Sequence, residues 1–309
     1  MVGELSERFP DSTPTKVPVA DDTAAVMVTH NGQRYLRRQC DSIFRQNVLP
    51  AVLIVVDDAS SDATRPIIQE VARTAPIPVE LIVTDRSDLP SARSRVAANV
   101  VAGIQASGGY DVTILADQDD EWLVDRVASQ RAILGGSPGA LLVAGDGILI
   151  DTDGCPLGDR LRDRFPIPSD WETLDPAGRV RAALRHPFVT GAAAALSAEL
   201  VRLMSPVPRG WLHDRWATLA AVARNGLVLQ DEPVIRYRIH DGQLLGMREA
   251  RFGAGRRRWQ QVLERGTGPL QAAGRVSDVI RRIRPLATDP AIRSELSLGG
   301  VLRAAMARA

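Results

Sequence analysis

Apolar residues gather along the chain in short unbroken runs, each closed by a polar cluster and followed by a segment with apolar positions at helical spacing. The first run begins at Ala24 (AAVMVTH) and ends at Asn31-Gly32. In the following QRYLRRQCDSIFRQ, Tyr35, Leu36, Cys40, Ile43 and Phe44 fall on one helical stripe. Residues 52–56 form a second run closed by Asp57 and Asp58, and Ser61-Asp62-Ala63-Thr64 then opens a helical PIIQEVAR segment with a capping residue. A third strand is expected at 79–83, a third helix at 91–106, and a fourth strand at 112–116 running into DQDDEW.

Strands that are apolar throughout belong in a sheet covered on both faces, and βα repeats with short connections favour parallel strands and right-handed crossovers. The expected fold is therefore an open α/β sheet, in which ligands sit beyond the carboxyl ends of the strands. Three polar clusters fall there: His30-Asn31-Gly32, Asp57 to Ser60, and Asp117 to Asp120. Beyond residue 134 the pattern predicts a strand at 141–150, a surface excursion rich in Pro, Gly, Asp and Arg over 151–170, and helices at 175–185, 197–204 and 213–225. Two short strands follow, at 227–230 and 234–239. Residues 1–22 mix three prolines with charges and read as a loosely ordered lead-in, so folding is expected to start near Thr23. The main domain covers 23–246, divided into 23–135 and 136–246, and an Arg-rich helical extension covers 247–309.

Composition narrows the class without changing this picture. The 309 residues are 45% hydrophobic and 24% charged, as in ordinary globular proteins, and the net charge of +1 gives no pull toward nucleic acid. Cys40 and Cys155 lie far apart and outside any zinc spacing, so neither a disulfide scaffold nor a zinc site is expected. With no membrane-length apolar run and no signal-like N-terminus, the expected location is the cytoplasm. The basic, Trp259-bearing C-terminal segment is the candidate contact for a second copy of the chain or for the inner face of a membrane.

A strand ending in Asp-x-Asp brings carboxylates close together, and a hard divalent cation with oxygen ligands relieves their repulsion. The same cluster could equally be a solvated turn. Taken in order, VMVTHNGQRYLRRQCDSIFRQ, IVVDDASSDAT, ILADQDDEW, VTGAAAALS, LHDRWATLAAVARNG and YRIHDGQLLG resemble the family 2 glycosyltransferases of the GT-A fold, most closely their rhamnosyltransferase-like branch. The resemblance spans residues 24–246. It implies a mostly parallel but mixed sheet, an Mn2+ or Mg2+ ion, and transfer with inversion from a nucleoside-diphosphate sugar. The donor would be TDP- or UDP-linked, such as a 6-deoxyhexose like rhamnose. The acceptor hydroxyl would belong to a glycan, a lipid-linked molecule or a small molecule.

By the same resemblance, Thr29, His30, Asn31, Gly32, Asp57 and Asp58 would receive the nucleotide, with Asp58 at the base edge. Asp117 would contact the ribose beside Gln118. Asp119 would bind the metal under the diphosphate, and His240 would act as phosphate or metal partner. Asp214 would be the base that takes the acceptor proton, its ionised form favoured at a helix N-terminus. Thr190, Gly191 and His213 would meet the acceptor, and Trp122 could floor its pocket or serve as a core anchor. Arg93 and Arg95 could steady phosphate or face solvent on their helix. Each carboxylate also has a plain reading as a cap or turn residue. The chain departs from the family at Ala59, where glycine is usual, at Gln243, where asparagine is usual, and in lacking an Asn-x-Gly stretch before the third helix. A nucleotidyltransferase would need a Gly-rich phosphate loop after the first strand, which is missing. A non-catalytic nucleotide-sugar scaffold is disfavoured by the acidic Asp214.

Overall fold

The computed structural model describes residues 17–208, 211–243, 280–297 and 299–300. Four parallel strands carry the first half: β1 (Val19–Thr29), β2 (Leu49–Asp58), β3 (Val79–Thr84) and β4 (Val112–Asp117). They alternate with helices α1 (Leu36–Phe44), α2 (Thr64–Thr74) and α3 (Ala92–Ala106). Beyond β4 come β5 (Glu121–Trp122), α4 (Arg126–Gly136), β6 (Leu142–Ile150), β7 (Pro156–Arg160), α5 (Leu161–Arg164) and α6 (Pro176–Arg185). The second half closes with β8 (Ala194–Ser197), α7 (Ala198–Met204), α8 (His213–Ala223) and β9 (Leu227–Arg238). Among the described residues the sheet has nine strands in the order β3-β2-β1-β4-β8-β6-β9-β5, with β7 paired to β6. β8 runs antiparallel to both neighbours and β5 antiparallel to β9, so the sheet is mixed, with helices on both faces as expected.

The unbroken apolar runs have a direct physical role. Ala24 and Val26 of β1, with Val52 and Ile54 of β2, pack into a core with α3 and α8. The intervening Ala25, Met27, Leu53 and Val55 pack into a second core with α1 and α2. A strand buried on both faces has no position left for polar alternation. α3 lies so close to the sheet that a Cβ on Gly103 would come within 2.4 Å of Val26 Cγ1.

Several boundaries differ from the expectations. β1 begins at Val19, inside the expected lead-in, because Val19 and Ala20 pair with Leu49 and Pro50 before a register shift. The charged Asp22 in that shift is held by two contacts from Arg131 Nε, at 2.7 and 2.9 Å, and one from Nη2 at 2.7 Å. The 151–170 excursion is anchored by the β6–β7 pairing and by buried Leu161. The two strands expected at 227–230 and 234–239 are one, with register shifts against β6 absorbing the polar Asp231-Glu232-Pro233 interruption. The expected helix at 213–225 ends at Ala223, and Asn225 takes a left-handed φ of 54°. Part of the expected C-terminal extension belongs to the main core: Ile283, Ala287, Ile292 and Leu296 are fully buried in the α6–α8 cluster, and Arg181 pairs with Glu295 at 2.8 Å. The rest of the stretch at 247–279, including GRRRWQQVL, lies outside the described residues. No helix among the described residues is long and apolar enough to cross a membrane.

Candidate active site

Parallel pairing puts the polar strand ends side by side. In register, Thr29 sits opposite Asp57 and Val28 opposite Asp117, so the β1, β2 and β4 termini open onto one edge of the sheet. A cleft of about 570 Å³ lies there. It is lined by Thr29, His30, Asn31, Gly32, Asp117, Gln118, Asp119, Thr190, Gly191, His213, Asp214 and His240. Asp57, Asp58, Arg93 and Trp122 are not part of the lining.

Asp57 is committed to the framework. It accepts hydrogen bonds from the Thr29 hydroxyl at 3.0 Å, from Arg65 Nε at 2.7 Å, and from Ser60. Burial pushes its carboxyl up, but the bonds from Ser60, Arg65 and Thr29 outweigh this and hold it below the usual carboxylate value. The carboxylate of Asp58, the residue expected at the base edge, has partners within the fold: Arg95 Nε donates to its Oδ2 at 2.9 Å and the Arg86 N–H to its Oδ1 at 2.9 Å. The Asp58 carbonyl accepts from His30 Nδ1 at 2.6 Å, which leaves His30 Nε2 as an acceptor facing Arg95 Nη2 at 3.4 Å. Gln118 acts as a brace, accepting from the His30 N–H at 2.9 Å and donating to the His30 carbonyl at 3.2 Å.

Two departures from the family pattern have local explanations. Ala59 has a φ of 48°, a conformation that glycine adopts without the steric penalty of a Cβ. Gln243 closes the last turn by donating from Nε2 to the Arg238 carbonyl at 2.6 Å.

Asp117, Asp119 and Asp120 each offer a carboxylate oxygen, and these oxygens lie within 4.8 Å of one another. Asp120 is buried. Its Oδ1 accepts from the Arg238 N–H at 2.9 Å, while its Oδ2 has no partner. Asp117 opens onto the cleft. Its carboxyl is pushed up to about 7, first by loss of solvation and then by the negative charges of Asp119 and Asp214. A crowd of oxygens with one orphaned acceptor is a donor set that fits a hard divalent cation. His240 Nε2 lies 2.8 Å from Asp119 Oδ2, and its Nδ1 accepts from the Gly242 N–H at 3.1 Å. A neutral ring held this way carries its proton on Nε2. His240 is therefore a donor to Asp119, and the expected metal-ligand role would require the ring to re-pair.

Asp214 lies in the first turn of α8, where its Oδ1 accepts from the Arg215 N–H at 2.6 Å. Beside it, the buried His213 ring sits directly over Gly191, leaving no room for a Cβ there: an added atom would lie 2.4 Å from His213 Nε2. The fold thus brings Thr190, Gly191, His213 and Asp214 together. Trp122, for which a pocket floor and a core anchor were both open, is a core residue with the Arg126 guanidinium 4.3 Å from its ring. Sequence reasoning missed Arg34 and Tyr35 as cleft residues. The Tyr35 ring lies 5.0 Å from that of His240 and 4.9 Å from the Arg34 guanidinium. In the sequence Tyr35 is only a position on the apolar helical stripe that precedes and includes α1.

The sequence matches the family model for glycosyl transferase family 2 over residues 24–202, more than half of the chain. The chain belongs to glycosyl transferase family 2. No curated protein sequence matches closely enough to name a relative. Among solved structures, this family 2 chain is similar in fold to S. aureus TarS 1-349 in complex with UDP-GlcNAc, at 12% identity and a TM-score of 0.55. That match covers 92% of this chain and 81% of the other. It is also similar to the mannosyltransferase PcManGT from Pyrobaculum calidifontis in complex with GDP-Man and Mn2+, at 16% identity and a TM-score of 0.51, covering 91% and 80%. At such identities the likeness is one of fold. Membership of the family makes the enzyme a glycosyltransferase, and its strand-end cleft is the candidate active site.

Proposed function

We propose that this transferase moves a sugar from a nucleoside-diphosphate sugar to an acceptor hydroxyl with inversion, using Asp214 as the base. The observation that carries the reading is the meeting of Asp117, Asp119, His240 and Asp214 in one cleft at the carboxyl ends of β1 and β4. Asp117 and Asp119, with the orphaned oxygen of Asp120 behind them, would hold Mn2+ or Mg2+. When bound, such an ion supplies Lewis-acid stabilisation of the departing diphosphate. Support for the donor class comes from family membership and from the two fold neighbours, one solved with UDP-GlcNAc and the other with GDP-Man and Mn2+. A TDP- or UDP-linked 6-deoxyhexose such as rhamnose is the donor suggested by the resemblance of the sequence to the rhamnosyltransferase-like branch.

The residues divide the work. The His30 to Gly32 turn, braced by Gln118, and the Arg95–Asp58 pair at its edge would receive the nucleotide. His240 would hold Asp119 or donate to phosphate, and Thr190, Gly191 and His213 would meet the acceptor. As the acceptor oxygen bonds to the anomeric carbon, its proton passes to the Asp214 carboxylate. The bond from that carbon to the diphosphate breaks on the opposite face, and the diphosphate leaves with the electron pair. No covalent bond to the protein forms.

The test is Asp214→Asn. The variant should bind UDP or TDP as the wild type does and lose turnover by at least about a hundredfold, the scale of a lost general base. Near-normal turnover in a screen of nucleotide sugars with Mn2+ would remove Asp214 from the role.

A further inference from the structure

We infer that Arg238, which nothing in the reaction scheme above uses, is the positioning residue that fixes the carboxylate turn for cation binding. This inference rests on the proposed cation site. Arg238 ends β9, and its side chain is fully buried. Burying a guanidinium costs several kcal/mol unless its donors are met, and here each donor type has a partner. Nε donates to the Asp119 carbonyl at 2.9 Å, and Nη2 to Glu121 Oε1 at 2.6 Å. Nη1 donates to the Asp151 carbonyl at 2.9 Å and to the Thr152 carbonyl at 3.2 Å. The backbone N–H of the same residue donates to Asp120 Oδ1 at 2.9 Å.

One residue therefore grips the turn at Asp119, Asp120 and Glu121 and fastens it to the first turn of the 151–170 excursion. That turn is in turn tied to α1, since Arg38 Nη1 donates to the Asp153 carbonyl at 3.3 Å. Two residues on, the same strand end delivers His240 to Asp119. The Tyr35 ring, which lines the cleft, lies 4.7 Å from the Arg238 guanidinium and closes the remaining side.

This arrangement does more than stabilise the fold. Three carboxylates whose oxygens lie within 4.8 Å repel one another, and without a grip on their backbone the turn would relax by swinging a side chain away. A planar fork with fixed donor directions can hold three carbonyls and a carboxylate at once, whereas a lysine ammonium is a single point charge on a flexible stem. The specific expectation is that the shape of the fork, not its charge alone, sets cation affinity.

The experiment measures Mn2+ binding by the full chain, from the loss of the free-ion EPR signal, with UDP present, for wild type, Arg238→Lys and Arg238→Gln. UDP binding without metal and thermal unfolding are measured on the same samples. Both variants should lose Mn2+ affinity by about tenfold or more, the usual cost of removing a group that orients metal ligands, while metal-free UDP binding stays unchanged. The lysine variant should not rescue. Wild-type Mn2+ affinity in Arg238→Lys would overturn the inference and leave the proposed function standing. Failure of the wild type to bind Mn2+ or Mg2+ at all would sink both. If neither Arg238 variant folds, Glu121→Gln carries the test, because it weakens one end of the fork at a partly exposed position. A loss of about threefold or more is expected there, and unchanged affinity would overturn the inference.

Discussion

Gly191 lies under the His213 imidazole with no spare volume. A Cβ at that position would meet only the His213 ring among its nearest atoms, 2.4 Å from Nε2, 3.3 Å from Cδ2 and 3.4 Å from Cε1. The backbone there is not in the left-handed region, so Gly191→Ala strains no dihedral, and the whole effect is the overlap of about 1 Å with the ring. The ring is buried and belongs to the first residue of α8, bonded directly to Asp214. Relief therefore requires α8 to tip or the ring to leave its place. Overpacking of this kind costs about 1–3 kcal/mol. Displacing a reacting group by about 1 Å lowers turnover on the order of a hundredfold. Urea unfolding and steady-state kinetics on Gly191→Ala should show both losses. A double-mutant cycle isolates the cause: in a His213→Ala background, adding Gly191→Ala should cost less than about 0.5 kcal/mol. A Gly191→Ala enzyme with unaltered stability and turnover, or a penalty that persists without the His213 ring, would refute the reasoning.

Asp119→Asn should weaken Mn2+-dependent UDP binding, measured by calorimetry, and unchanged metal dependence would defeat its assignment. Cys40 is buried and its thiol is pushed up to about 12 by burial, whereas Cys155 is exposed. A colorimetric thiol titration at pH 8 should find one reactive group in the native protein and two after denaturation; two fast groups in the native state would contradict the packing of α1. Arg65→Gln removes the ion pair on buried Asp57 and should cost about 1–3 kcal/mol at pH 7. Because Asp57 is held below its unfolded value of about 3.9, this stabilisation is present above that pH and is lost as pH falls through the folded value. The gap in urea midpoint between wild type and Arg65→Gln should therefore close in acid, and a gap that widens would reverse the assigned sign.

The elements that the sequence leaves unassigned or outside the main domain share a physical origin. Ala194–Ser197 is an interior strand of the sheet, yet GAAAALS has neither the branched residues nor the alternation that mark strands. Its β conformation is imposed by β4 and β6 on either side, and small side chains suit the place because Arg126 and Gln130 reach in to donate to the carbonyls of Ala194, its first residue, and of Ala193 just before it. Residues 19–22 fall in the lead-in that prolines and charges mark as loosely ordered, but the backbone pairing of Val19 and Ala20 with Leu49 and Pro50 does not depend on side-chain polarity. Trp122 illustrates the same limit within the site. Its distance from DQDD along the chain is two residues, and only the packing of Arg126 decides that the ring turns into the core.

The order of apolar runs and polar strand ends was sufficient to determine the open sheet and to assign His30 to Gly32, Asp57, Asp58 and Asp117 to Asp120 to one edge. Unbroken apolar strands with short helical connections favour parallel pairing, as β1 to β4 show, and parallel strands end on the same side. Which carboxylates remain available for ligand was decided only by the tertiary structure. The groups that neutralise or grip them come from far along the chain: Arg95 for Asp58 and Arg238 for the Asp119–Asp120 turn. Local spacing carries the period of an element, but it does not record which distant side chain closes over it.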